Sequence, residues 1–165
     1  MTATVPPTIP PLRPFGLVLH HDGRWSHEGQ PIRNRKLREA FDRGVRYLPD
    51  EDVFVVTLGR FRGQIEVEEA AFFVRSIDLP TGCLTLSDGS EEALDPSTLA
   101  ISPRDGALLC RIPRAASATD VLARFDPGPH AELLLTAEAG DAGVSVACGG
   151  RRYSLPDAVV GELSD

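Results

Sequence analysis

The sequence predicts an α+β fold, mainly antiparallel β, built as two β-rich lobes that each carry one short helix. Three observations predict it. Asp22-Gly23 and Gly149-Gly150 each stand between apolar runs, the pattern of a tight hairpin turn. Segments such as Val53-Phe54-Val55-Val56-Thr57-Leu58 are almost wholly β-branched or aromatic. Only two stretches place apolar residues at helical spacing.

Residues 1–14 are rich in proline, lack apolar periodicity and are expected to be a disordered tail. The first lobe is expected over 15–80. Residues 15–20 read as a strand that pairs with 24–27 across Asp22-Gly23, and 28–31 make the next turn. Asn34 caps a helix over 35–43, because Leu37, Ala40 and Phe41 fall at i, i+3 and i+4. Gly44 stands where a left-handed cap is expected. A meander of adjacent antiparallel strands is expected to follow, through 45–48, 53–58, 64–68 and 71–77. In it Ile65 and Val67 alternate inward while Glu66 and Glu68 face outward.

The second lobe is expected over 81–160. Strands are read at 83–86, 99–101 and 107–112, between turns at 87–90 and 103–106. Residues 114–129 read most nearly as a strand, since Val121, Ala123 and Phe125 alternate, and Pro127-Gly128-Pro129 is expected to break it. A helix over 130–139 carries Leu133, Leu134 and Ala137 on one stripe, with Gly140 as its cap. A terminal hairpin turns at Gly149-Gly150. No residue-level repeat links the two lobes.

At 165 residues with 42% apolar and 25% charged side chains, the chain can bury a core without a metal or disulfide staple. Its formal net charge of -7 repels nucleic acid and anionic membrane, so neither is an expected partner. No apolar run is long enough to span a bilayer, and residues 1–7 lack the pattern of a signal peptide. Cys83, Cys110 and Cys148 are odd in number and lack metal-ligand spacing. A cytoplasmic, reducing location is therefore expected. No phosphate loop, nucleophile elbow or dinucleotide fingerprint is present, and no metal or cofactor is expected.

The densest polar cluster is His20, His21, Asp22, Arg24, His27, Glu28, Arg33 and Arg35. From it, Asp22, Trp25, His27, Arg33 and Arg35 are the candidate ligand-binding residues, rimming a groove between the lobes. Trp25 is the only tryptophan, either a core anchor or part of a binding surface. The basic run from Arg33 to Arg38 opens at a helix N-terminus and suits a small anionic ligand. The blander alternative is a solvated face paired with Glu39 and Asp42. Glu66 and Glu68 lie about 7 Å apart on one strand face, a spacing that a hydrolase could use and that is also normal for the wet side of a sheet. Cys148 is the least implausible thiolate.

Several motifs occur in one order. They are Asp22-Gly23 with Trp25, then Pro31-Ile32 ahead of Leu37 and Phe41; Val55-Val56-Thr57; and Ile65-Glu66-Val67-Glu68-Glu69-Ala70-Ala71-Phe72. Arg124, the helix around Leu133 and Leu134, and the hairpin 143–155 complete the set. In this order the chain resembles a bacterial family, the domain-of-unknown-function family numbered 1285, over 17–157. Leu58 and Ala71 stand where that family has proline, Glu69 replaces its aspartate, His130 lies near its aromatic and Cys148 replaces its serine. The resemblance implies two β-rich lobes and assigns no activity, catalytic residue or cofactor.

The leading expectation is a non-catalytic accessory module that binds a small anionic ligand or a protein. The alternative is a small hydrolase or transferase acting on an anionic substrate, which requires Asp22, His27 and Arg33 to converge. A third reading is a homodimer. Phe72 and Phe73 are adjacent in one strand and must face opposite ways, so one needs a cover.

Overall fold

The computed structural model describes residues 14–114, 120–141 and 143–155. The expected tail lies outside these residues except for Pro14, which opens the first strand. The first sheet contains β1 (Pro14–Leu19), β2 (Trp25–His27), β3 (Gln30–Pro31), and, after helix α1 (Arg35–Gly44), β4 (Val45–Leu48), β5 (Val53–Leu58) and β6 (Phe61–Val67). Its order is β3-β2-β1-β6-β5-β4, and all pairings are antiparallel except β1 with β6.

The second sheet contains β7 (Phe72–Asp78), β8 (Cys83–Leu86), β9 (Glu91–Ala93), β10 (Ala100–Ile101), β11 (Leu108–Ile112) and β12 (Val121–Phe125). A 3-10 turn at Pro96–Thr98 separates β9 from β10. The order is β10-β11-β12-β7-β8-β9, again antiparallel except for the central pair β7 and β12. The two sheets therefore share one connectivity. In each, two three-stranded meanders flank a helical link and meet through a parallel central pair. The residues do not show this repeat because the helical links differ, ten residues in α1 and three in the turn.

Helix α2 (Pro127–Leu134) then leads to a three-stranded sheet of β13 (Glu138–Gly140), β14 (Gly143–Cys148) and β15 (Arg151–Ser154). The α+β class, with mostly antiparallel strands and a short helix on each large sheet, is as the sequence predicts. Gly149 and Gly150 both take positive φ, 62° and 76°, as a tight hairpin turn requires.

Four expectations are corrected. The segment from Val53 to Ile77 is not one run of adjacent strands. β7 leaves the first sheet and pairs with β8 and β12. Sheet membership thus changes at residues 68–71. Ala70 and Ala71 are buried there. Second, α2 begins at Pro127 and not at 130, because prolines in a first helical turn remove only N–H groups that have no intrahelical partner. Third, the helix ends at Leu134, short of residue 139, and Glu138–Gly140 joins the last sheet through Ala139 and Val144. Fourth, Gly44 is not a left-handed cap. It lies against the Thr57 backbone, where a side chain would strike the Thr57 carbonyl oxygen.

One hydrophobic cluster runs through both large sheets and includes Leu19, Trp25, Phe41, Phe72, Phe73, Phe125 and Leu133. Phe72 and Phe73 are both fully buried. The Phe54 ring covers Phe72 at 6.4 Å, and the Arg114 guanidinium stacks on it at 4.7 Å. Neither aromatic is left for a second copy to cover, so the reason given for a homodimer through this face is removed.

Candidate functional site

Hairpin β1–β2 has two sides, and each carries a depression. On one side, strand register builds a polar cleft. β1 and β6 run parallel with Leu19 opposite Val67, so the next residues, His20 and Glu68, arrive side by side. The Glu68 N–H donates to the Leu19 carbonyl at 3.0 Å and extends the ladder by one step. Ser26 pairs with Val18, which places it diagonal to His20 on the same face.

The side chains connect accordingly. His20 Nδ1 lies 3.1 Å from Glu68 Oε2, and His20 Nε2 lies 2.9 Å from Ser26 Oγ. The other Glu68 oxygen takes the His21 ring Nδ1 and, at 3.3 Å, the His21 backbone N–H. Arg104, from the β10–β11 turn, stands 3.5 Å from the same oxygen. Hydrogen bonds from His20 first, then from His21, hold the Glu68 carboxyl at about 2, well below the ordinary range. Beyond His21, Asp105 lies 3.8 Å away and is itself gripped by Arg124 through two bonds of 3.0 and 2.6 Å. Those bonds lower the Asp105 pKa. Ser102 donates to Glu69 at 2.7 Å. This polar chain joins the two large sheets.

The cleft has a volume of about 370 Å³ and is walled by His20, His21, Arg24, Ser26, Pro31 and Glu68. Asp22 and Trp25 also line it. Asp22 pairs with Arg24 at 2.8 Å. Trp25 is buried at its base, its indole N–H donating to Asp42 at 2.9 Å and its ring 5.2 Å from Phe41. It is a core anchor.

On the other side lies an almost wholly apolar groove of about 470 Å³, lined by Leu17, His27, Ile32, Leu37, Phe41, Leu58 and Phe61. Leu37 and Phe61 are 39% and 40% exposed. Arg33 follows Ile32 and is exposed, and Arg35 pairs with Glu39 one turn along α1 at 2.9 Å. The N-terminus of α1 is already served by Asn34, whose Oδ1 accepts from the Leu37 N–H at 3.0 Å.

The structure thus divides the five candidate residues. Asp22 and Trp25 belong to the cleft, His27 to the groove, and Arg33 and Arg35 to the start of α1. Asp22, His27 and Arg33 do not converge. The groove lies within the first sheet and its helix, not between lobes. The sequence does not single out Ser26, and it sets Glu68 beside Glu66 on one strand face instead of beside His20. Their signal was parallel register, which no local pattern reveals. Burial raises the thiol of Cys148 and pushes that of Cys110 up to about 12, so neither favours a thiolate. Among the described residues, no group of three His, Cys, Asp or Glu is arranged to hold a metal ion, and no helix is long and apolar enough to cross a membrane.

The chain is similar to a DUF1285 family protein from Silicibacter pomeroyi, with a TM-score of 0.64 and 19% identity over 94% of this chain and 87% of that one. A DUF1285 family protein from Shewanella baltica is similar at a TM-score of 0.48 and 11% identity, over 73% of this chain and 91% of that one. The first likeness shows a shared fold, in agreement with the order of motifs along the sequence. No protein-family model matches the chain, and no curated protein does.

Proposed function

We propose that the chain is an accessory binding module whose apolar groove docks an acidic amphipathic segment of a protein partner. The observation that carries this reading is the exposure of Leu37 over a trough with an apolar floor. An exposed aliphatic anchor over such a floor is what a partner's apolar side chains bury. Charge selects the partner. The chain is acidic overall, at -7, yet Arg33, Arg35 and Lys36 stand exposed between Ile32 and Leu37 in the chain, Arg35 being shared with Glu39. The small anionic ligand expected from the sequence is thereby replaced by carboxylates carried on a peptide. Nothing lining the groove pairs a nucleophile with a base, and His27 is its one ionisable side chain, so the role at this face is non-catalytic.

The test uses two labelled amphipathic helical peptides with the same leucine and phenylalanine positions, one with glutamates on its polar face and one with lysines. Fluorescence anisotropy is expected to show the acidic peptide binding at least ten-fold tighter, with affinity falling as salt rises. Leu37→Asp is expected to abolish binding. Equal affinity for both peptides, or binding unchanged by Leu37→Asp, overturns the reading.

A further inference from the structure

The cleft on the opposite side of hairpin β1–β2 supports a second role that does not depend on the groove. We propose that Ser26, His20 and Glu68 form an acyl-transfer site, with Ser26 as nucleophile toward short-chain acyl esters.

The hydrogen positions follow from the acid. Glu68 is fully ionised at neutral pH, so its oxygens only accept. The His20 nitrogen facing it, Nδ1 at 3.1 Å, must therefore carry the hydrogen. In the neutral imidazole that leaves Nε2 as a bare acceptor, and the Ser26 hydroxyl 2.9 Å away donates to it. This is the arrangement of a base-activated serine, with the acid fixing tautomer and ring orientation. The acid is unusually well held. His21, its backbone N–H and Arg104 all bear on Glu68, and Asp105 with Arg124 backs His21.

The cleft has room for a small acyl group, against Pro31 and Trp25. Arg24 also lines it, with its Nε on Asp22 at 2.8 Å and its side chain largely exposed. In the first step Ser26 Oγ bonds to the ester carbonyl carbon and its proton passes to His20 Nε2. The carbon–oxygen bond to the alcohol then breaks, and the alcohol leaves with that proton. Water then adds to the acyl-serine as His20 Nε2 takes one of its protons; the acyl–Oγ bond breaks, that proton returns to Ser26 Oγ, and the carboxylic acid leaves. Ser26 and His20 are the catalytic residues. Glu68 is a positioning residue.

The test is labelling of the full chain with a fluorophosphonate, located by peptide mass spectrometry, together with turnover of p-nitrophenyl acetate. Label is expected on Ser26 alone among the serines of the chain. Ser26→Ala is expected to abolish it, and His20→Asn to slow it by on the order of 10²-fold. Glu68→Gln lets the His20 tautomer reverse and is expected to lower the rate, and to lower it no further once His20→Asn is present, which loss of a merely structural contact would not do. Ser26→Cys keeps the shape of the site, and its reaction with iodoacetamide is expected to slow when His20→Asn is added. Absence of label on Ser26, or labelling and alkylation rates indifferent to His20→Asn, overturns the proposal. Either result leaves the peptide-binding test of the groove untouched.

Discussion

Trp25 and Asp42 share a hydrogen bond of 2.9 Å from the indole N–H to Oδ1, and that bond seats α1 on the first sheet. The second oxygen of Asp42 takes Arg75 of β7, also at 2.9 Å, so a single carboxylate ties helix, first sheet and second sheet together. Asp42→Ala leaves a buried indole N–H without a partner. The expected loss of stability is about 2 kcal/mol, the desolvation cost of one such donor. Asp42→Asn keeps an acceptor for Trp25 and gives up only a half-exposed ion pair, so it is expected to cost less than half as much. Urea denaturation of the two variants checks the order.

Gly44→Ala is expected to destabilise by about 3 kcal/mol, because the new Cβ meets the Thr57 carbonyl and backbone there cannot give way. Gly59→Ala is the contrast. Its added Cβ meets nothing, and only its φ of +57° resists the side chain, at about 1 kcal/mol. Thermal melts of both distinguish a steric role at Gly44 from a conformational one.

Leu37 and Phe41 are one turn apart on the apolar stripe of α1, yet they serve different ends. Phe41 is buried at 7% exposure, and Phe41→Ala is expected to cost about 3–5 kcal/mol. Leu37 is exposed, and Leu37→Ala is expected to change stability by less than about 1 kcal/mol while weakening acidic-peptide binding. Denaturation and anisotropy measured on the same two variants separate folding from docking.

Acid is expected to loosen the cleft. The Glu68 carboxyl falls from 4.5 to about 2 on folding, so its stabilising contribution is complete above 4.5 and is lost as pH drops toward 2. Asp42 works in the opposite sense. Desolvation raises its pKa above 3.8, so the stability linked to its extra proton falls as pH rises through its folded value. Glu68→Gln is expected to flatten the acid limb of the stability–pH curve between about pH 4.5 and 2. Chemical denaturation at a series of pH values checks the slope.

The legible parts of this molecule are those set by neighbours in sequence. Asp22-Gly23 and Gly149-Gly150 turn hairpins, Asn34 caps α1, and Leu37, Ala40 and Phe41 place its apolar stripe, all within a few residues. The departure of β7 was hidden because three consecutive buried residues, Phe72, Phe73 and Val74, suit any central strand and do not name a partner. The parallel pairing of β1 with β6 is equally silent in the sequence, since it depends on the core that both sheets share. From that pairing follows the contact between His20 and Glu68, 48 residues apart, and with it the whole cleft. The groove was half legible: the helix stripe was read, but Leu58 and Phe61 reach it only through the fold of β5 and β6.

The docking groove is tested most directly by mapping amide chemical shifts of the ¹⁵N-labelled chain during titration with the acidic amphipathic peptide. Perturbations are expected to centre on Leu17, Ile32, Leu37, Phe41, Leu58 and Phe61, with Cys83 and Leu108 in the second sheet unmoved. Saturable shifts centred instead on the second sheet, or none along α1, would contradict it.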